Sequence, residues 1–256
     1  MTNKEIFQTA LRQSAVDLSC SVEDLLSDKN KIVISKPNSG ARKYLELPFD
    51  CNLVYYGRNI VASVRSGLEE LIDGYINSYP AEHCFETPNM HVLNSALSKH
   101  GLGICFMAEY FLPDMENLKK LSCKFQTRIL EHHDFKDLYT PEWSNALCEK
   151  RKELDVLGIG AYDNGKLIGL AACSADCDTM YQIGVDVLPS YRRNGIACAL
   201  TSALATEIIK LGKVPFYCAA WSNIGSVRNA IKSGFRPAWA EMTAKSTDTI
   251  NKMNKR

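Results

Sequence analysis

Val185-Asp186-Val187-Leu188-Pro189-Ser190-Tyr191-Arg192-Arg193-Asn194-Gly195-Ile196-Ala197 is the stretch whose reading decides the fold. It opens as the end of an apolar run, Met180 to Leu188, that reads as a β-strand closed by Pro189. A short polar turn with two arginines and a glycine follows. A helix then begins, because Ile196, Leu200, Leu204, Ile208 and Leu211 recur at spacings of four, four, four and three before Gly212. The first N–H groups of a helix have no internal partner and the macrodipole there favours negative charge, so such a turn can hold phosphate oxygens. Gly195 lets the backbone approach closely, and Arg192 or Arg193 adds charge. Taken alone, the stretch describes a surface turn with two solvated arginines equally well.

The flanks add order. Upstream, Cys123 to Leu130 is a β-type run, and Asp134 can cap a helical Phe135 to Tyr139. Thr140-Pro141-Glu142 is a start signal for a helix reaching about Glu153. Val156 to Tyr162 and Lys166 to Cys173 are apolar runs joined through Asp163-Asn164-Gly165, a hairpin signature. Downstream come a strand from Val214 to Trp221, a short helix from Gly225 to Ser233, and a strand after Gly234 that reaches about Ala244.

The N-terminal half reads as mixed α and β without a chemical motif. Helical spacing covers residues 4 to 18, and Ser21-Val22-Glu23-Asp24 is a capping signal. Strands are expected at 31 to 35, 43 to 48, 51 to 56 and 59 to 64, helices near 66 to 78 and 89 to 100, and a strand from 104 to 111. Tyr55-Tyr56 reads as alternate faces of one strand. The polar Pro113 to Ser122 segment is the expected boundary between halves.

Bulk properties exclude several classes. Thirty basic and 29 acidic side chains leave a net charge of +1, so no global field draws nucleic acid or an anionic membrane. The ten cysteines are scattered through apolar segments, which fits a reducing compartment. Cys173 and Cys177 are the closest pair, and neither a second pair nor a nearby histidine completes a metal set, so no metal is expected. Met1 to Gln13 lacks an apolar leader core and no run of about 18 apolar residues is present, which predicts a cytoplasmic protein with no membrane role.

The order of elements from Cys123 onward, the strand end at Val185 to Tyr191, the Arg192-x-x-Gly195-x-Ala197 turn, and Asn223-x-x-Ser226 ahead of Gly234-Phe235-Arg236-Pro237 together resemble a GCN5-related N-acetyltransferase (GNAT) domain. The resemblance covers about half the chain. It implies an α/β (α+β) fold, with a mixed, mostly antiparallel twisted sheet and flanking helices at residues 120–244. A smaller mixed α/β domain at 1–119 would precede it, as in the GNAT subgroup with an extra N-terminal domain, and a polar tail at 245–256 would follow.

For function the resemblance implies transfer of an acetyl or short acyl group from CoA to an amine of a small molecule or peptide, by direct attack. In such domains the pantetheine arm lies against the strand matching Val185, Asp186 and Val187. A backbone N–H near Val187 meets the thioester carbonyl. The diphosphate rests on the N–H groups matching Arg193, Asn194, Gly195, Ile196, Ala197 and Cys198, with Arg192 adding charge. Asn223 matches a residue that contacts the arm, and Ser226 lies one helical turn on; Asn223 can equally cap its helix. The tyrosine that many members use as an acid, seven residues after that asparagine, is Ala230 here. That departure leaves a non-catalytic acyl-CoA-binding module as the alternative. Tyr181 is the candidate proton-handling group. Cys218 reads as a buried thiol, since no histidine follows residue 133 to activate it. A homodimer is compatible with the sequence.

Overall fold

The computed structural model describes residues 1–255. In chain order the elements are α1 (Asn3–Leu18), α2 (Val22–Leu26), β1 (Lys31–Ile34), β2 (Cys51–Tyr55), β3 (Ile60–Val64), α3 (Glu69–Ile76), α4 (Thr87–Ser98) and β4 (Leu102–Pro113). There follow β5 (Gln126–Glu131), β6 (Asp155–Asp163), β7 (Lys166–Ser174), β8 (Met180–Val187), α5 (Ile196–Lys210), β9 (Val214–Ala219), α6 (Ile224–Lys232), β10 (Phe235–Ser246) and α7 (Thr247–Asn254). The chain divides into two compact units, one of residues 1–10 and 111–237 and the other of 11–110 and 238–256. The boundaries fall inside the long strands β4 and β10 rather than in the polar segment after Pro113, because each of those strands begins in one unit and ends in the other. The first residues belong with the C-terminal half: Asn3 Nδ2 donates to Asp114 Oδ1 (3.0 Å), and Met115 N donates to Asn3 Oδ1 (2.8 Å).

In the unit of residues 11–110 and 238–256, β1 lies parallel to β3, β3 antiparallel to β2, and β2 antiparallel to β10. Ser21 caps α2 through the reciprocal bonds expected of its sequence. Residues 43–48, read as a strand, form none; Leu45 N instead closes a turn onto Arg42 O (3.0 Å), and Arg42 is buried. The final residues, read as a polar tail, form α7, started by Ser246 Oγ accepting from Thr249 N and tied by Thr247 N donating to Gly101 O (2.9 Å).

In the other unit β5, β6, β7 and β8 form an antiparallel meander, and β8 pairs in parallel with β9. The architecture is mixed and mostly antiparallel, as expected. Helix α5 buries Ile196, Leu200, Leu204 and Ile208 against Ile168, Ala171, Ile183 and Tyr217, so its apolar stripe forms the core with one sheet face.

The helix expected from Thr140 to Glu153 is absent. Two 3₁₀ turns stand there, Pro141–Trp143 and Glu149–Leu154, the second broken at Arg151 (φ −141°, ψ 46°). The cause lies in the sheet. Asp186 on β8 accepts from Asn145 N (2.8 Å), Asn145 Nδ2 (2.7 Å) and Ala146 N (2.9 Å), and Asp155 on β6 accepts from Cys148 N (2.9 Å). Strand carboxylates thus take the N–H groups that an α-helix would have spent on its own carbonyls.

Candidate functional site

β8 and β9 pair only from Met180↔Val214 to Ile183↔Tyr217. Beyond that register the strands continue, to Val187 and Ala219, without pairing to each other. A fork therefore opens beside Gly184 to Val187, whose other edge remains bonded to β7. The backbone of a strand presents alternate residues to alternate edges. Leu188 N donates to Ile168 O on the β7 side (2.9 Å), which turns Val185 and Val187 toward the fork and Asp186 toward β7. Val185 and Val187 hence offer main-chain groups to an extended ligand lying along the fork. Arg192 Nε already donates to Val187 O (3.0 Å), tying the strand end to the turn.

The turn at the mouth of the fork is unusual in its bonding. Arg193 and Gly195 both have positive φ, 63° and 75°, and Gly195 is the N-cap of α5 without any side-chain cap. Ala199 N donates to Gly195 O, but among the described residues no acceptor exists for the backbone N–H groups of Arg193 through Cys198. A Cβ built on Gly195 would meet nothing within 4 Å, so the backbone at Gly195 itself is open. Close packing holds the helix start here: a Cβ on Gly169 of β7 would come within 2.8 Å of Ile196 Cγ2.

Sequence reasoning missed Lys124. Its Nζ lies 2.6 Å from Asn194 Oδ1 and 5.3 Å from the Phe125 ring centroid, and Phe125 meets Tyr191 edge-on at 5.8 Å. Asn194 Nδ2 donates in turn to Tyr191 O and Arg192 O, fixing the turn. None of Lys124, Arg192 and Arg193 forms an ion pair with a carboxylate among the described residues, so their charge is uncompensated. Nothing in the local sequence marks Lys124, whose partner Asn194 lies 70 positions further along the chain.

The two sheet faces differ. Ile183, Val185 and Val187 pack toward α5. The opposite face carries Gln182, Gly184 and Asp186, and a Cβ on Gly184 would fall 1.9 Å from Asn145 O, so glycine is required where the loop rests on the strand. Gln182 Nε2 donates to Cys218 Sγ at 3.0 Å. Asp186, with three donors on its carboxylate and its main chain turned to β7, acts as the clamp of that loop and does not offer its backbone to the fork.

The remaining expected residues fall in two groups. Asn223 caps α6, its Oδ1 accepting from Ser226 N (3.2 Å), and its Nδ2 has no partner among the described residues. Ser226 Oγ lies 2.7 Å from Tyr217 Oη. Tyr181 stands apart: it pairs with Pro215 in the closed part of the strand pair and has Lys213 Nζ 6.0 Å from its ring. Burial, with Cys173 and Asp178 near it, pushes its hydroxyl pKa up, so it holds its proton at neutral pH. Among the described residues no group of three or more His, Cys, Asp or Glu could hold a metal, all ten cysteines are free, and no helix is long and apolar enough to cross a membrane.

A family model described as GNAT acetyltransferase matches residues 82–239. That is more than half of the chain, which therefore belongs to the GNAT acetyltransferase family. Similar solved structures include a putative GNAT-family acetyltransferase from Novosphingobium aromaticivorans, 18% identical over 57% of this chain and 69% of that one, with a TM-score of 0.46. A GCN5-related N-acetyltransferase from Kribbella flavida is 15% identical over 62% of this chain and 64% of its own, with a TM-score of 0.49. This chain thus spans less than two thirds of the Kribbella protein's length. A GCN5-related N-acetyltransferase-like protein from Streptococcus suis is 15% identical over 95% of this chain and 99% of its own, again at 0.49. No curated protein matches the chain.

Proposed function

We propose that this chain is an acyl-CoA-dependent N-acyltransferase that moves an acetyl or short acyl group to an amine of a small molecule or peptide. The observation that carries this reading is the open turn at the fork. Unbonded N–H groups from Arg193 to Cys198, the start of a 15-residue helix and three uncompensated cations suit a diphosphate, and the fork suits an extended arm. The residues present fit acetyl-CoA, which brings an activated thioester when bound. Arg193, Asn194, Gly195, Ile196, Ala197 and Cys198 hold the diphosphate, Lys124 and Arg192 supplement its neutralisation, and Val185 and Val187 align the arm. A backbone N–H on the fork edge of β8 orients the reacting carbonyl, and Asn223 Nδ2 steadies the arm from α6. Holding both reactants in line supplies much of the rate in such a transfer. The free cysteines accord with work in a reducing cytoplasm.

A specific observation keeps a second reading in play. Ala230 is fully buried and carries no proton to give, which favours a module that binds acyl-CoA without turning it over. The first test is a thermal melt with and without excess acetyl-CoA. Ligand at about 100 times its dissociation constant adds roughly 2.7 kcal/mol to the native state. A rise in Tm is expected, and its absence at millimolar acetyl-CoA overturns both readings. Thiol release in the presence of an amine panel separates enzyme from binder.

A further inference from the structure

The departure of an acyl group from sulfur needs a proton at a defined place, and the groups around the fork differ in whether they hold one. Asp186 is saturated by three donors. Cys218 Sγ accepts from Gln182. Tyr181 lies in the closed part of the strand pair. Tyr217 is different. It is the last residue of β9 to pair with β8, so its Cα stands at the apex of the fork. Its ring packs into the α5-side core beside Phe235 (centroids 6.3 Å), the cluster to which Ala230 also belongs. Its hydroxyl lies 2.7 Å from Ser226 Oγ on α6, the helix that Asn223 caps.

We infer that Tyr217 is the proton donor to the leaving sulfur, with Ser226 as its partner, so that a strand tyrosine does the work for which α6 offers only Ala230. The inference rests on the acyl-CoA reading above. Burial pushes the Tyr217 hydroxyl pKa up, and hydrogen bonds from Ser226 and Asn229 offset this only in part, so the phenol is protonated at neutral pH and serves as an acid, not a base. The balance is complete. The amine nitrogen bonds to the acyl carbon, the carbon–sulfur bond breaks with its electron pair going to sulfur, and the Tyr217 O–H proton passes to sulfur. The phenolate regains a proton through Ser226 Oγ–H, and the proton shed by the amine replaces it.

The test reads contact with sulfur directly and needs no acceptor. Binding of CoA and of desulfo-CoA, which lacks the sulfur, is measured by calorimetry on wild type and Tyr217→Phe. A neutral hydrogen bond predicts that wild type prefers CoA by about three- to tenfold and that Tyr217→Phe binds the two alike. Equal preference in both proteins overturns the inference while leaving the carrier reading intact; wild type that binds neither ligand overturns the carrier reading itself. If Tyr217→Phe does not fold, wild-type protein carrying carbon-13 at tyrosine Cζ gives the same answer. One tyrosine signal should respond to CoA and not to desulfo-CoA, and Ser226→Ala should shift that signal, assigning it to the residue bonded to Ser226. No differential response sinks the proposal.

Discussion

Arg42 and the turn from Arg193 to Cys198 both gather positive charge and hydrogen-bond donors, and they are completed in opposite ways. Arg42 is 2% exposed, with Nε on Asp17 Oδ2, Nη2 3.0 Å from Glu241 Oε1 and Nη1 2.6 Å from Tyr44 Oη. Its guanidinium lies 5.3–5.8 Å from the ring centroids of Tyr44, Tyr110 and Trp239. Asp17 also accepts from Gln13 and from Arg42 N, and Glu241 from Trp239 Nε1. Burial alone would lower the Arg42 pKa, but Asp17, Tyr44 and Glu241 hold it well above its ordinary value. A buried cation survives because every partner comes from the protein. At the turn no acceptor among the described residues meets the backbone N–H groups, and the proposed diphosphate site rests on that difference. Saturation marks Arg42 as structural, and its absence at the turn is the ground on which binding is proposed there.

The largest effect should come from Arg42→Leu, which strands Asp17 and Glu241 as buried carboxylates. Breaking such a pair costs about 3–5 kcal/mol. Denaturant unfolding should show a loss of that size, whereas Arg193→Ala should change stability by no more than about 0.5 kcal/mol. Similar losses in the two variants would erase the distinction. Second in size is Gly195→Asp, which sets a carboxylate among the open donors. Like-charge contact costs several kcal/mol, so acetyl-CoA should bind on the order of 100-fold more weakly. The left-handed backbone there adds about 1–2 kcal/mol of strain without ligand. Unchanged affinity by calorimetry would remove the turn from the site.

How much of this was legible follows from where each signal lives. The strand, turn and helix from Met180 to Leu211 are local, written in spacing and in Gly195, and the structure holds them within a residue or so. The hairpin at Asp163-Asn164-Gly165 is local as well. The segment after Thr140 misled because its fate is decided by Asp155 and Asp186, carboxylates on strands that follow it in the chain. Tyr217 and Lys124 were illegible for the same reason, since each acquires its place only when distant elements meet. The buried cluster around Arg42 carried no motif, because saturation is a property of the fold and not of spacing.

Asp155 sits between the two extremes, partly satisfied, and gives the third prediction. Burial raises its pKa from 3.8 to about 6, with Cys148 N and Tyr139 as the opposing hydrogen bonds. A carboxyl that holds its proton more tightly when folded contributes stability that is full below the unfolded pKa. That contribution is lost as pH rises through the folded value, between about 4 and 6. Asp155→Asn, which keeps an acceptor for Cys148 N, should flatten the dependence of Tm on pH in that window. An unchanged profile would place the titration elsewhere.

The smallest effect sharpens the comparison most. Lys124 is exposed, and exposed charges contribute little to a fold, so Lys124→Met should leave Tm within experimental scatter. Methionine keeps an apolar stem over Phe125 and deletes only the ammonium that lies on Asn194 Oδ1. If that ammonium completes the neutralisation of a diphosphate, acetyl-CoA should bind about two- to fivefold more weakly, and the loss should shrink as salt is raised. The salt dependence is what decides. A deficit that persists at high salt would mean that Lys124 acts by holding Asn194 and the shape of the turn, and the turn would then recognise its ligand through backbone N–H groups and the remaining arginines alone.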